Sequence, residues 1–253
     1  MNVYARLVYR NLRADLDRLT LFFELIFPLF FIFVQGYALG GIIPPFEVGG
    51  VTVSYPLFLA AGAVTLTVIN SGTNAGTQLW FDRKNGMFEQ VLMGPFNRAQ
   101  YILSIILATL IIGIAGSLLV FLFAFPVLGA RAEITPLGMG LVLLAIFLGT
   151  TFFGTFAIAI SVALKSSETF QIASTFAFFV FLFTSSVFYP PNLAPEAIMT
   201  ISYLNPLTYT TDLFRAGLFG AFTPFAMLEL GVLAVEAAVM FSLAVLAFRR
   251  IRV

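Results

Sequence analysis

The sequence predicts an all-α integral membrane protein with six transmembrane helices, and three observations carry that expectation. Sixty per cent of the residues are hydrophobic and only ten per cent are charged, with a mean hydropathy of +1.01, outside the range of a soluble domain. Six apolar runs are long enough to cross a hydrocarbon core, which needs about twenty residues at 1.5 Å per residue. The charges that remain gather in a few short stretches instead of being spread along the chain. The expected organisation is a single transmembrane domain over 1–253, with an interfacial helix (1–20), a polar cytoplasmic loop (80–100) and an outer re-entrant segment (189–225).

Val3 to Leu19 places Tyr4, Leu7, Val8, Leu12, Leu16 and Leu19 at three- and four-residue spacing, with Arg6, Arg10, Arg13 and Asp17 elsewhere. That is an amphipathic helix suited to the membrane interface, the alternative being a helix packed on the protein itself. The expected spans are Leu21–Gly41, Pro56–Leu79, Tyr101–Leu128, Leu137–Leu164, Phe170–Phe188 and Ala226–Phe248. The first is long for a signal peptide and lacks a small-x-small cleavage site, so it reads as a retained span. Eleven Lys and Arg residues fall on the side of the termini; only Arg131 and Arg215 fall opposite. Both termini are therefore expected in the cytoplasm of a cell that carries the protein in its plasma or inner membrane.

The second span concentrates Asn70, Thr73, Asn74 and Thr77 with Thr65, Thr67, Ser71, Gly72 and Gly76 in its cytoplasmic half. Such a surface lines a pathway or glues helices together. Gly113 with Ser117, and Thr150 with Gly154, are read as close packing of the third and fourth spans. The 31 Phe residues are read as filler of core and lipid face.

Between the second and third spans lies the polar island WFDRKNGMFEQVLMGPFNRAQ, residues 80–100. Met87, Phe88, Val91 and Leu92 form one apolar face of a short helix bounded by Asn85 and Gly86 before it and Gly94 and Pro95 after. Asn97 with Gln100 has the pattern of a capping box for the third span. Glu89 is either a partner for a basic residue on another protein or a solvated helix charge.

After the fifth span, Pro190, Pro191, Pro195, Pro206 and Pro224 cut an apolar stretch into helical pieces, Pro195–Tyr203 and Leu207–Phe219, too short to cross. They are expected on the outer side as re-entrant or interfacial helices covered by protein, or as a plain external cap. Pro195 suits a first helical turn and Gly220 a helix end. Asp212 and Arg215, three apart, are either a gate pair or a surface pair of little weight.

Acidic residues at membrane depth are Glu24, Glu229 and Glu236. Glu236, near mid-span, is a candidate ion site or a carboxyl paired with the second span or with Arg215. Glu24 is expected to snorkel to the interface. With no Cys and no His, no thiol nucleophile, imidazole or thiolate metal site or Ser-His-Asp triad is available, so no catalytic and no metal residues are assigned. The charge balance of +1 gives no reason to expect a nucleic acid. There is no Gly-x-x-x-x-Gly-Lys-Ser/Thr loop, and the only lysines are Lys84 and Lys165.

Three segments together resemble the permease subunits of type-2 ABC exporters, over essentially the whole chain. Asp82, Arg83, Gly86, Glu89, Pro95 and Arg98 match a cytoplasmic pattern of that family, with Val91 at its usual Leu. Asn205, Pro206, Leu207, Thr208, Tyr209, Asp212 and Arg215 match an outer signature, and an amphipathic helix leads into the first span. The resemblance implies a cytoplasmic ABC ATPase that holds ATP and Mg and docks on the island through Arg83, Gly86, Met87, Phe88, Glu89, Leu92, Pro95 and Arg98. It also implies a second copy of the chain or a homologous permease, a pathway lined largely by the second and fifth spans, and outward movement of an amphipathic or lipid-linked substrate. Asn205, Pro206, Tyr209, Asp212 and Arg215 are expected to form an outer gate. A rival reading is a stand-alone secondary transporter or channel that uses Glu236 as an ion site.

Overall fold

A computed structural model describes residues 3–16, 18–94, 96–128, 135–220, 222 and 224–249. Helix α1 (Val3–Asp15) is followed by α2 (Arg18–Phe30), which widens into a π-helical stretch (Phe31–Gly36) and ends in α3 (Tyr37–Gly40). The widening follows Pro28, whose missing N–H breaks the regular hydrogen-bond ladder of the helix. A short antiparallel hairpin, β1 (Phe46–Val48) and β2 (Val51–Val53), pairs Phe46 with Val53 and Val48 with Val51. Gly49 and Gly50 turn it at φ 58° and 83°, a conformation that residues with a Cβ resist.

Then come α4 (Tyr55–Lys84), α5 (Met87–Leu92), α6 (Arg98–Val127), α7 (Pro136–Ala163) and α8 (Ser167–Phe183). A single 3-10 turn (Pro191–Leu193) leads to α9 (Glu196–Ser202), α10 (Pro206–Phe219) and α11 (Ala226–Arg249). Among the described residues, four helices are long and apolar enough to cross a membrane: α4, α6, α7 and α11. Two shorter apolar helical segments, Glu24–Gly40 and Ser167–Phe183, stand where the first and fifth spans are expected.

Helix α4 is the axis of the bundle. Of its most apolar stretch 78% is buried, against 17% for α11, and it packs on α7, α6, α10 and the π-helical stretch. Glycines set the closeness of these contacts. A Cβ on Gly72 would lie 2.6 Å from Phe153, and one on Gly76 2.5 Å from the Ala157 carbonyl, so α4 and α7 approach backbone to backbone. Gly113 stands similarly against Ser71, and Gly154 against Ile106, so the small residues of α6 and α7 serve the close packing expected of them. Thr65 and Thr211 bond at 2.9 Å, and Thr67 and Ser117 at 2.6 Å, which adds polar ties where no water competes.

The hairpin and the π-helical stretch were not expected. The hairpin has a legible signal, Gly-Gly between two alternating triplets, masked by its position inside an otherwise apolar connection.

Candidate functional sites of a multi-pass bundle

The polar island is built as a joint. Helix α4 ends at Lys84, Gly86 turns the chain at φ 68°, and α5 lies across to the start of α6. Asn97 caps α6: its side chain accepts from the Gln100 backbone at 2.8 Å, and the Gln100 side chain accepts from the Asn97 N–H at 3.0 Å. This is the capping box anticipated from the sequence, and it satisfies two backbone N–H groups at the start of α6.

Individual side chains divide into those that hold the joint and those that face out. Phe88 is buried, edge-on to Tyr101 at 5.7 Å and to Phe248 at 5.1 Å. Of the apolar face expected for docking, Phe88 thus packs on its own chain, while Met87 is 40% and the following Met93 80% exposed. Arg83 and Arg98 also turn inward. Arg83 donates to the Ser161 carbonyl at 2.7 Å and lies over the Trp80 ring; Arg98 donates to the Phe248 carbonyl at 3.0 Å. Each supplies a cation to the last turn of a helix, α7 and α11, where the backbone carbonyls lack partners. Trp80 in turn stacks on Phe170 at the start of α8, 6.0 Å between centroids and 6° apart in plane. Pro95 and the side chains of Glu89 and Leu92 lie outside the described residues.

Sequence reasoning missed the hub of this joint. Asp82 accepts from Arg10 Nη2 and from the Tyr101 hydroxyl, both at 2.6 Å, and the neighbouring Asn11 donates to Ser104 Oγ at 2.9 Å. Helix α1 is therefore fastened to α4 and α6 at once. Its Leu7 and Asn11 side is buried against the bundle, and Tyr9 and Leu16 remain exposed.

The polar residues of α4 serve two purposes, sorted by helix face. Thr65, Thr67, Ser71, Gly72 and Gly76 are buried in the packing described above. Asn70, Thr73, Asn74 and Thr77, at helical spacing along one side, are only partly buried. Asn70, Thr73 and Asn74 line a cavity of about 540 Å³ whose other walls include Glu24 and Phe27 from α2 and Gln171, Thr175, Phe178 and Phe179 from α8. Thr77 is not among its lining. Glu24 departs from the expectation of snorkelling: it is 5% exposed and accepts a hydrogen bond from Asn74 Nδ2 at 3.1 Å. Helical phase decides this, because Glu24 lies on the same face as the buried Pro28 and Ile32, turned toward α4.

On the far side of the bundle, the five residues expected as a gate follow one another along α10 and its N-cap, and of them Asp212 and Arg215 are in contact. Asn205 caps α10 by accepting from Leu207 N at 2.9 Å, with Pro206 at the first helical position, and its amide donates to the Phe181 carbonyl and to Thr184. Tyr209 donates to the Tyr203 carbonyl. Gly220 ends α10 at φ 64°, as its position in the sequence suggests.

Arg215 is the most enclosed charge among the described residues. Its side chain is 2% exposed; it bonds Asp212 at 3.3 Å and the carbonyls of Ser186 at 2.8 Å, Val187 at 3.0 Å and Phe58 at 3.1 Å. The guanidinium carbon lies 3.5 Å from the centre of the Phe58 ring. The Asp212–Arg215 pair is thus no weak surface pair. Ser186 completes it by donating to Asp212 at 2.8 Å, and Gly62 makes room, since a Cβ there would sit 2.5 Å from the Val187 carbonyl and 2.9 Å from Arg215. Glu236, on α11, is not joined to Arg215; its Oε2 is buried with no hydrogen-bond partner among the described residues.

Comparison with known proteins agrees with this architecture. Residues 5–219 match the family described as ABC-2 type transporter. The chain is 26% identical over 172 residues to a protein of Pyropia yezoensis named "Putative transport permease ycf38", covering 66% of this chain and 57% of that one. Proteins of the same name from Porphyra purpurea and Cyanophora paradoxa are 25% and 26% identical, covering 68% of this chain and 58% and 59% of theirs. This chain thus spans less than two thirds of the length of these relatives.

Proposed function

We propose, for a chain that belongs to the ABC-2 type transporter family and is a multi-pass membrane transport permease, that it is the membrane-spanning subunit of an ATP-driven exporter. In this reading the chain crosses the membrane six times with both termini in the cytoplasm, the helical segments at 18–40 and 167–183 supplying the crossings that length alone leaves open. A cytoplasmic ATPase carries ATP and Mg. It docks on α5, the helix that carries Glu89, where Met87 and the following Met93 are exposed. A second copy of the chain, or a homologous permease, completes a pathway walled by α4 and α8, through which an amphipathic or lipid-linked molecule leaves.

The observation that carries this reading is the set of contacts that ties α5 and its flanks to the bundle. The helix is pinned by Phe88 inside the aromatic trio with Tyr101 and Phe248, flanked by the Gly86 turn and the capping box, and braced by Arg83 and Arg98 on two further helices. A push on α5 is transmitted to α4, α6, α7 and α11 together, which is what a permease without an ATP site of its own requires from an external motor. Helix α8 supports the pathway assignment: it packs sparsely within the chain and leaves Ile172, Phe176 and Phe183 exposed.

The decisive experiment is purification together with any ABC ATPase subunit that co-purifies with the chain, followed by reconstitution in liposomes. Glu89→Ala should abolish stimulation of ATP hydrolysis while the complex still assembles. Unchanged stimulation removes Glu89 from the coupling, and transport by this chain without any ATPase overturns the reading.

A further inference from the structure

We infer that the groove between α6, α7 and α10 is a binding site for one acyl chain of a membrane phospholipid. It requires only that α6 and α7 cross the membrane, and it holds whatever drives transport and in whichever direction.

The groove encloses about 200 Å³. It is lined by Leu118 and Phe121 of α6, Met139 and Leu143 of α7, and Phe214 and Leu218 of α10, with neighbouring apolar residues of the same helices. Among the described residues that line it, Ser117 has the only polar side chain, and its hydroxyl is already bonded to Thr67 at 2.6 Å. No side chain there is left to hold a water molecule, and a hollow of this character stays dry.

The packing around the groove keeps it open. Helix α10 is pressed against α7 at two places: a Cβ on Gly138 would lie 2.3 Å from the Gly217 carbonyl, and one on Gly149 2.8 Å from Thr210 Oγ1. These approaches bracket Met139, Leu143 and Phe214, so α10 is pinned on both sides of the space it borders. Helix α6 is tied to α4 through Thr67 and Ser117, and it meets the end of α10 where Phe125 and Phe219 stack, 6.5 Å between centroids. Walls held in this way do not close on the space between them. An unfilled hollow forfeits the dispersion contacts of its whole lining, so a filler from outside is favoured.

The rim decides what that filler is. Phe214 and Leu218 are buried, whereas Leu118, Met139 and Leu143 are exposed on two helices long and apolar enough to cross a membrane, so the mouth of the groove faces hydrocarbon. A helix of a second copy, about 10 Å across, displaces more than this volume in a single turn of about 5.4 Å. A slim, flexible hydrocarbon chain matches both the size and the chemistry. Because the groove lies toward the C-terminal end of α6 and the N-terminal end of α7, the chain comes from a single leaflet. It packs on Phe214, the residue next to Arg215, and so places a lipid tail against the helix that carries the Asp212–Arg215 pair.

The test uses the whole chain in maltoside micelles, titrated with a phosphatidylcholine that carries a diazirine midway along one acyl chain. After irradiation, labelling between Ile114 and Phe121 and between Met139 and Ile146 should saturate with the probe. Labelling of α11, whose Val235, Val239 and Leu243 are exposed, should instead rise in proportion to it. Leu143→Trp, at an exposed position, puts a ring into the groove and should abolish the saturable labelling. Leu118→Trp should do the same from α6 and decides the matter if the first variant does not fold; Leu243→Trp should change nothing in the groove. Labelling of the groove that rises linearly as on α11, or that survives both Leu143→Trp and Leu118→Trp, overturns the proposal. Cross-links between two copies of the chain through Leu118 or Leu143 overturn it too, because protein then covers this face.

Discussion

Arg10 and Asp82 meet at 2.6 Å across 72 positions of sequence, and the same carboxylate oxygen accepts the Tyr101 hydroxyl at the same distance. One acidic side chain thereby ties the first helix of the protein to the C-terminal end of α4 and the N-terminal end of α6. Asp82→Ala leaves a buried tyrosine hydroxyl without its acceptor and a partly buried guanidinium with Asn11 Oδ1 alone, which costs about 1–3 kcal/mol. Thermal unfolding in micelles should show a lowered midpoint. A double-mutant cycle with Arg10→Ala should return a coupling energy well above the few tenths of a kcal/mol found for independent sites.

Phe88 should behave as a core residue, although it stands in the segment proposed for docking. Phe88→Ala empties the space between Tyr101 and Phe248 and should cost about 3–5 kcal/mol, read as loss of folded protein after detergent extraction. Met87→Ala and Met93→Ala, at exposed positions, should change stability by less than about 0.5 kcal/mol. Their effect should appear only in ATPase stimulation of the reconstituted complex.

Arg215 has three carbonyl partners, a carboxylate and a ring face, in a site with little access to water. Arg215→Ala strands Asp212 and those carbonyls and should cost about 3–5 kcal/mol. Arg215→Lys should be nearly as harmful, because a single ammonium cannot reach Ser186, Val187 and Phe58 from one planar fork. Expression level and melting temperature of the two variants check this, the failure case being a lysine variant indistinguishable from the parent.

Gly62 gives a test of packing with its own control. A methyl there must displace the Val187 carbonyl or Arg215, so Gly62→Ala should destabilise by about 1–3 kcal/mol. At Gly231 a Cβ meets nothing within 4 Å. Gly231→Ala, in the second turn of α11, should be neutral or stabilise by up to about 1 kcal/mol through helix propensity.

The sequence by itself determined the features that depend on local chemistry. Hydropathy marked the membrane helices, since an apolar run of sufficient length has few alternatives to crossing; four of the six expected runs are long and apolar enough as they fold, and the other two fold as shorter helices at the expected places. The Gly86 turn, the Asn97–Gln100 cap, the Asn205–Pro206 start and the Gly220 end were legible because each is fixed by a backbone requirement within a few residues. Asn70, Thr73, Asn74 and Thr77 were legible as a group because their spacing puts them on one helix face.

Only the tertiary structure decided which neighbour each face meets. Whether Phe88 looks outward or inward depends on Tyr101 and Phe248; whether Glu24 reaches lipid or Asn74 depends on how α2 is rotated against α4; and the weight of Arg215 depends on carbonyls from Phe58 and Val187, far away in sequence. Hydrophobicity drives these helices into the membrane but does not distinguish one apolar neighbour from another. Their register is set by glycine contacts and a few buried polar bonds such as Arg10–Asp82, and those are pairwise relations that no single stretch of sequence contains.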